Sequence, residues 1–313
     1  MTGMPYQLDP QIRDFADSSD RLFTADFDAL PPLEQRRLYN AWCSDWSGPH
    51  PAEIATADFS VPTGGGEVPV RLYRPREHSG RLPVILYMHG GGWVLGSRDT
   101  HHQVTANMAL QTQAAVLSVD YRLSPEHKFP AAFNDCYGVL AWLAASGPAL
   151  NLDTKRLAVA GDSAGGNLAV AVALAARDRK GPPIALQGLI YPALRFQRNV
   201  DLATDSPGLS PDSLGVYAKA YLDRPEDAQN PYAAPLLAES FAGLPPAYIA
   251  SAWFDAIRED SEAYAEKLEA AGVPVTYRCA PGLPHTYLRT IHVCAAARQE
   301  FAGLCEALKK ALG

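Results

Sequence analysis

Residues 156–180 read RLAVAGDSAGGNLAVAVALAARDRK. An apolar run opens the stretch, an alanine-rich segment of helical character closes it, and GDSAGGN at 161–167 stands between them. Glycine is costly inside regular structure, so Gly161 and Gly165 need a local backbone reason. A sharp strand-to-helix turn supplies one. It lifts the Ser163 hydroxyl clear of the sheet edge, where a side chain at either glycine would collide with neighbouring backbone. A helix beginning here also aims its first N–H groups at any negative charge forming beside that hydroxyl. G-x-S-x-G alone equally fits a tight turn with a capping serine; the flanking strand and helix favour a nucleophile.

Outward from this turn, the chain alternates in the same way. ATADFSVP and VPVRLYRP flank a glycine turn at 64–66 and read as two antiparallel strands. Short apolar runs follow at 82–90, 114–122, 156–161, 184–193, 246–253 and 273–282, separated by helical segments near 102–112, 130–146, 163–178, 259–271 and 290–311. Nearly continuous apolar strands spaced by helices predict an α/β class: a doubly wound sheet buried on both faces, with two antiparallel strands leading in. Residues 9–47 read as helix in two pieces, opened by Asp9-Pro10. The polar, proline-bearing stretch 196–236 breaks the rhythm and reads as an insertion above the sheet, forming a lid with the N-terminal helices.

A serine hydroxyl is a weak nucleophile without a base, and the base needs an orienting acid. In this class the chain order is Ser, acid, His. Beyond Ser163 the histidines are His285, in the loop after the last strand, and His292, placed by pattern inside the final helix. His285 is therefore the candidate base. Asp255 lies just past the preceding strand and is the candidate acid, with Asp260 second and better suited to capping the next helix. The oxyanion of a tetrahedral intermediate needs donors. Ala164 N–H supplies one, and HGGGW at 89–93, after the third strand, supplies Gly91 and Gly92. His89 is expected to orient that loop and Asp162 to brace the turn by hydrogen bonding. Trp93, Leu209, Leu214 and Tyr217 are candidate pocket residues, together with Trp42 and Trp46.

Composition excludes several other classes. The 313 residues carry a net charge of −7 and no basic run longer than a pair, which argues against a nucleic-acid partner. Cys43, Cys136, Cys279, Cys294 and Cys305 are scattered with no CxxC pair, so neither a disulfide framework nor a metal site is expected, and reduced packing thiols in a cytoplasmic protein are. Residues 1–20 lack the pattern of a signal peptide, and no apolar run is long enough to span a membrane.

The sequence resembles the hormone-sensitive-lipase-like family of α/β-hydrolases, the family IV bacterial esterases. HGGGW at 89–93 resembles its oxyanion signature and GDSAGGN at 161–167 its nucleophile signature. YRLSPEHKFPAAFND at 121–135 and NPYAAPLLAESFAGLPPAYI at 230–249 are also similar to the family, over a span from about residue 50 to the C-terminus. The resemblance implies an α/β-hydrolase fold: a mostly parallel eight-stranded sheet flanked by helices, with a helical cap. Residues 1–50 would form the N-terminal part of that cap, 196–222 its inserted segment, and 51–195 with 223–313 the catalytic domain. It also implies a carboxylesterase acting on small esters with short acyl chains, without metal or organic cofactor, and a homodimer joined through a sheet edge. Amide hydrolysis or acyl transfer on the same triad is the alternative, and a non-catalytic receptor on this scaffold a more distant one. Two departures stand out. The family's D-P-L-R-D-E reads here Asp255-Ala256-Ile257-Arg258-Glu259-Asp260, and its H-G-F reads His285-Thr286-Tyr287, where the bulkier threonine narrows the acyl or alcohol side of the pocket.

Overall fold

A computed structural model describes residues 6–197 and 206–313 of the chain. Its centre is one eight-stranded sheet in the order β1-β2-β4-β3-β5-β6-β7-β8. The strands are β1 (Ile54–Thr63), β2 (Gly66–Pro75), β3 (Leu82–Met88), β4 (Ala115–Val119), β5 (Leu152–Asp162), β6 (Gln187–Ile190), β7 (Ala247–Phe254) and β8 (Val275–Pro284). β2 runs antiparallel to both neighbours and every other pairing is parallel. The short β1–β2 turn explains the antiparallel start, whereas each parallel pairing needs a crossover connection.

Alternation along β3 shows why the sheet is buried twice. Val84, Leu86 and Met88 join a core that includes α5 (Ala131–Ser146), α6 (Ala164–Asp178) and α8 (Arg258–Ala270). Ile85 and Tyr87 join the opposite core, with α4 (His102–Thr112), α9 (Ala295–Leu312) and the N-terminal helices. Every residue of α6 from Ala164 to Ala176 is buried, as its alanine-rich, charge-free sequence requires.

The strand order fixes the site. β3 lies between β4 and β5, so the chain winds one way from β3 to β4 and the other way from β5 onward. Met88 at the end of β3 pairs with Gly161 near the end of β5, which brings HGGGW and GDSAG together at that reversal. Open α/β sheets bind ligands at such a point.

Three expectations need correction. The N-terminal region forms α1 (Arg13–Leu22), α2 (Ala25–Asp28) and α3 (Pro32–Asp45) after a 3₁₀ turn at Pro10–Ile12, because Thr24 caps a further short helix that periodicity does not register. The final helix begins at Ala295, so His292 precedes it, paired with Gln103 at 3.1 Å. β6 is shorter than the apolar run 184–193 suggests, bounded by proline-containing segments that cannot extend the ladder. Of the inserted stretch 196–222, residues 198–205 lie outside the described part. The remainder includes α7 (Pro211–Tyr221), whose first turn is capped by the Ser210 side chain accepting from Ser213 N–H. No helix among the described residues is long and apolar enough to cross a membrane.

Candidate active site

Ser163 stands between β5 and α6 with φ 54° and ψ −119°, a left-handed-side conformation that is costly for a residue with a Cβ. Surrounding backbone holds it there. Its N–H donates to Ile190 C=O at 2.9 Å, and its C=O accepts from Ala193 N–H at 3.2 Å. The glycines have the reason inferred from sequence: a Cβ on Gly165 would fall onto the carbonyl oxygens of Met88 and His89, and one on Gly161 would meet Gly165 C=O and, at 2.7 Å, Met88 C=O.

Two further strand ends bring in the candidate base and the candidate acid. His285 follows β8, and its N–H donates to Phe254 C=O at the end of β7. Asp255 follows β7, where its Oδ1 accepts from Ile257 N–H at 2.9 Å. Across this junction His285 Nδ1 lies 2.8 Å from Asp255 Oδ2, and His285 Nε2 lies 3.0 Å from Ser163 Oγ. Both side chains are buried. An ionised carboxylate only accepts, so Nδ1–H donates to Asp255 and Nε2 is left to accept the serine proton. Gly91 (φ 123°) and Gly92 (φ 59°) line the same cavity as Ser163 and Ala164. Among the described residues, the N–H groups of Gly91, Gly92 and Ala164 donate to no protein acceptor.

The alpha/beta hydrolase fold family model matches residues 85–289. The chain belongs to this family. Among its relatives, esterase LipI of Mycobacterium tuberculosis is 41% identical over 257 residues, 80% of each chain. Carboxylesterase NlhH of the same organism is 40% identical over 252 residues, 79% of each. A solved hyperthermophilic esterase from Pyrobaculum calidifontis superimposes with a TM-score of 0.89 at 33% identity, covering 98% of this chain and all of the other.

In this α/β-hydrolase a narrow cavity of about 60 Å³ opens at the Ser163–His285 pair. Trp93, Leu209, Leu214 and Tyr217 all line it, and the Tyr217 ring rests on Gly92 so closely that a Cβ there would sit 2.6 Å from it. Trp42 and Trp46 do not. Both indole N–H groups donate to Ser18 Oγ, at 2.9 and 3.0 Å, and pack against Phe15 within the N-terminal helices. Phe23 and Tyr39 from that region line the cavity instead, along with Phe196, Ile257 and Thr286.

Asp260 also differs from expectation. It is fully buried in the first turn of α8, where Ile257 holds the N-cap position; its carboxylate accepts from Leu194 N–H (2.7 Å), Arg195 N–H (3.3 Å) and Arg195 Nε (2.9 Å). It thereby ties down the segment after β6 that borders the cavity, a long-range contact no spacing rule contains.

Asp162 braces the site, as expected, and does so through partners the sequence did not disclose. Its Oδ1 accepts from Tyr87 O–H at 2.6 Å and from Gly90 N–H at 3.0 Å, joining the Ser163 turn to the glycine loop at 90–92. Its Oδ2 faces His101 Nε2 at 3.3 Å. Arg289, four residues past His285, completes the cluster. Its guanidinium donates to Thr100 C=O (2.8 Å) and Tyr39 O–H (2.6 Å), and lies 3.3 Å from His101 Nε2. Burial alone would raise the Asp162 carboxyl; His101, the Tyr87 hydroxyl and the Arg289 charge outweigh it and hold it well below the usual carboxylate range. His89 is different. Burial and the neighbouring His101 push it down to about 3, so it is neutral near pH 7, stacked on Tyr121 and with Nδ1 2.9 Å from Gly90 C=O. Its place is the base of the glycine loop.

Proposed function

We propose that the chain is a serine carboxylesterase that hydrolyses short-chain acyl esters through a covalent acyl-enzyme. The observation that carries this reading is the hydrogen-bonded line Ser163–His285–Asp255 beside the three uncommitted N–H groups of Gly91, Gly92 and Ala164. The family and the esterase relatives support it.

In the acylation step His285 Nε2 takes the Ser163 proton as Oγ attacks the ester carbonyl carbon. The carbonyl π electrons move to oxygen, and the three N–H groups stabilise the resulting oxyanion. Asp255 holds the imidazole in the right tautomer and stabilises its protonated form. Collapse of the intermediate breaks the bond to the alcohol oxygen, which receives the proton from Nε2. Water then repeats the sequence on the acyl-enzyme, releasing the carboxylic acid and restoring Ser163. In this reading the described residues within 1–50 and 196–222 form the cap over the cavity.

A fluorophosphonate probe should add one phosphonyl group per chain, and peptide mapping should place it on Ser163. No adduct, or an adduct elsewhere, overturns the assignment. The acyl-length part rests on the narrow cavity and has its own measurement. Across p-nitrophenyl esters from acetate to palmitate, kcat/KM should peak at acetate or butyrate and fall at least tenfold by decanoate, about the discrimination that a few misplaced methylenes in an apolar pocket produce. A flat profile rules out the short-chain preference while leaving the triad untouched.

A further inference from the structure

Thr286 combines three features that the hydrolytic chemistry does not require. It is a β-branched residue at φ 62°, ψ 15°, a left-handed conformation that glycine adopts freely and threonine strongly disfavours. It directly follows His285 and lines the cavity. Its hydroxyl is already committed, donating to His285 C=O at 2.6 Å, so a ligand meets bulk at this position and not a spare donor.

The location decides which part of an ester meets that bulk. Once Ser163 Oγ has attacked, the leaving oxygen must lie within hydrogen-bond reach of His285 Nε2, while the oxyanion points to Gly91, Gly92 and Ala164. The alcohol portion therefore runs along the flank of the histidine loop, which is built from Thr286 and from Ile257, held to Asp255 by its N–H. Trp93, Leu209 and Phe196 line the cavity from other elements, the glycine loop after β3 and the segments after β6.

We infer that Thr286 is a specificity-determining residue that restricts the bulk of the alcohol portion of the ester, favouring unbranched over branched alcohols at a given acyl group. The inference rests on the serine-esterase reading above. A backbone conformation that glycine would fill without strain is occupied by threonine at the one loop position adjacent to the proton donor. Exclusion of branched alcohols is the property such a side chain confers.

The test uses two substrate series on the full chain. In the first, acetates of ethanol, propan-2-ol and cyclohexanol are compared. Thr286→Gly should raise the cyclohexyl-to-ethyl ratio of kcat/KM about tenfold, the lower end of what one misfitting group in a pocket is worth. Thr286→Val, with the same shape and no hydroxyl, should leave that ratio within twofold of the parent. In the second, p-nitrophenyl esters of increasing acyl length should keep the parent profile in Thr286→Gly. A ratio unchanged by Thr286→Gly, an equal rise in Thr286→Val, or a change confined to the acyl series each overturns the inference. Should the glycine variant fold poorly, Thr286→Ala removes the branch and must move the ratio in the same direction. Ser163→Ala separates the two levels. If it retains turnover, the site reading falls and this inference with it; if it is inactive while the alcohol ratio stays flat, only the role of Thr286 falls.

Discussion

Replacing Ser163 with alanine should lower kcat for p-nitrophenyl butyrate on the order of 10⁴- to 10⁶-fold, with the melting temperature within about 2 °C of the parent. The two halves of this expectation have different causes. Without Oγ there is no acyl-enzyme, and loss of the nucleophile in a serine triad costs about 5–8 kcal/mol of transition-state stabilisation. The fold loses little, because the strained turn is held by the backbone bonds from its N–H to Ile190 C=O and from Ala193 N–H to its C=O, and alanine retains both. His285 and Asp255 remain paired at 2.8 Å. Since the three groups act as a unit, adding His285→Ala to the serine variant should cost almost nothing more. Residual turnover within a hundredfold of the parent, measured on protein freed of contaminating esterase, would reject Ser163 as the nucleophile.

What the sequence disclosed about this site follows from which constraints are local. Gly161, Ser163 and Gly165 are legible because a strand-to-helix turn imposes residue types at fixed spacing, and the side-chain clashes that exclude other residues lie within one turn and one neighbouring strand. The order of HGGGW, Ser163, Asp255 and His285 is legible because parallel strands deliver their C-terminal ends to one edge. The central strands were readable because doubly buried strands are almost continuously apolar, and β1 and β2 from the glycine turn between them. Phe23 and Tyr39 were not legible as pocket walls, nor Trp42 and Trp46 as interior packing. How the N-terminal helices rotate over the sheet depends on contacts hundreds of positions apart, such as Tyr39 with Arg289. Asp260 looked like a cap because acids are common in first turns; its partners, Leu194 and Arg195, are visible only in three dimensions. Arg289 itself left one signal, a lone arginine in the segment TYLRTIHV, which holds no acidic residue to pair with it locally.

That buried cluster carries the second large expectation. Asp162→Ala should destabilise the protein by about 3–5 kcal/mol near pH 7, the usual cost of removing one member of a buried charge pair. Gly90 N–H and Tyr87 O–H lose their acceptor, and the Arg289 cation loses the carboxylate that balances it across His101. Asp162→Asn separates these contributions: the amide oxygen still accepts from Gly90 and Tyr87, so its loss should be smaller and its kcat closer to that of the parent. The charge has a signature of its own in pH. The Asp162 carboxyl is held below its unfolded value of about 3.9, so the unfolded chain binds the proton more readily and stability rises with pH through this range. The contribution is fully present above about pH 5 and is lost as the pH falls toward the folded-state value. The gap in unfolding free energy between parent and Asp162→Ala, measured by urea denaturation, should therefore hold level from pH 6 to about pH 5 and narrow from there to pH 3. Acidic groups elsewhere titrate in both proteins and cancel in that difference. A gap that stays constant over this interval would mean that Asp162 stabilises the turn only as a hydrogen-bond acceptor, with its charge contributing nothing.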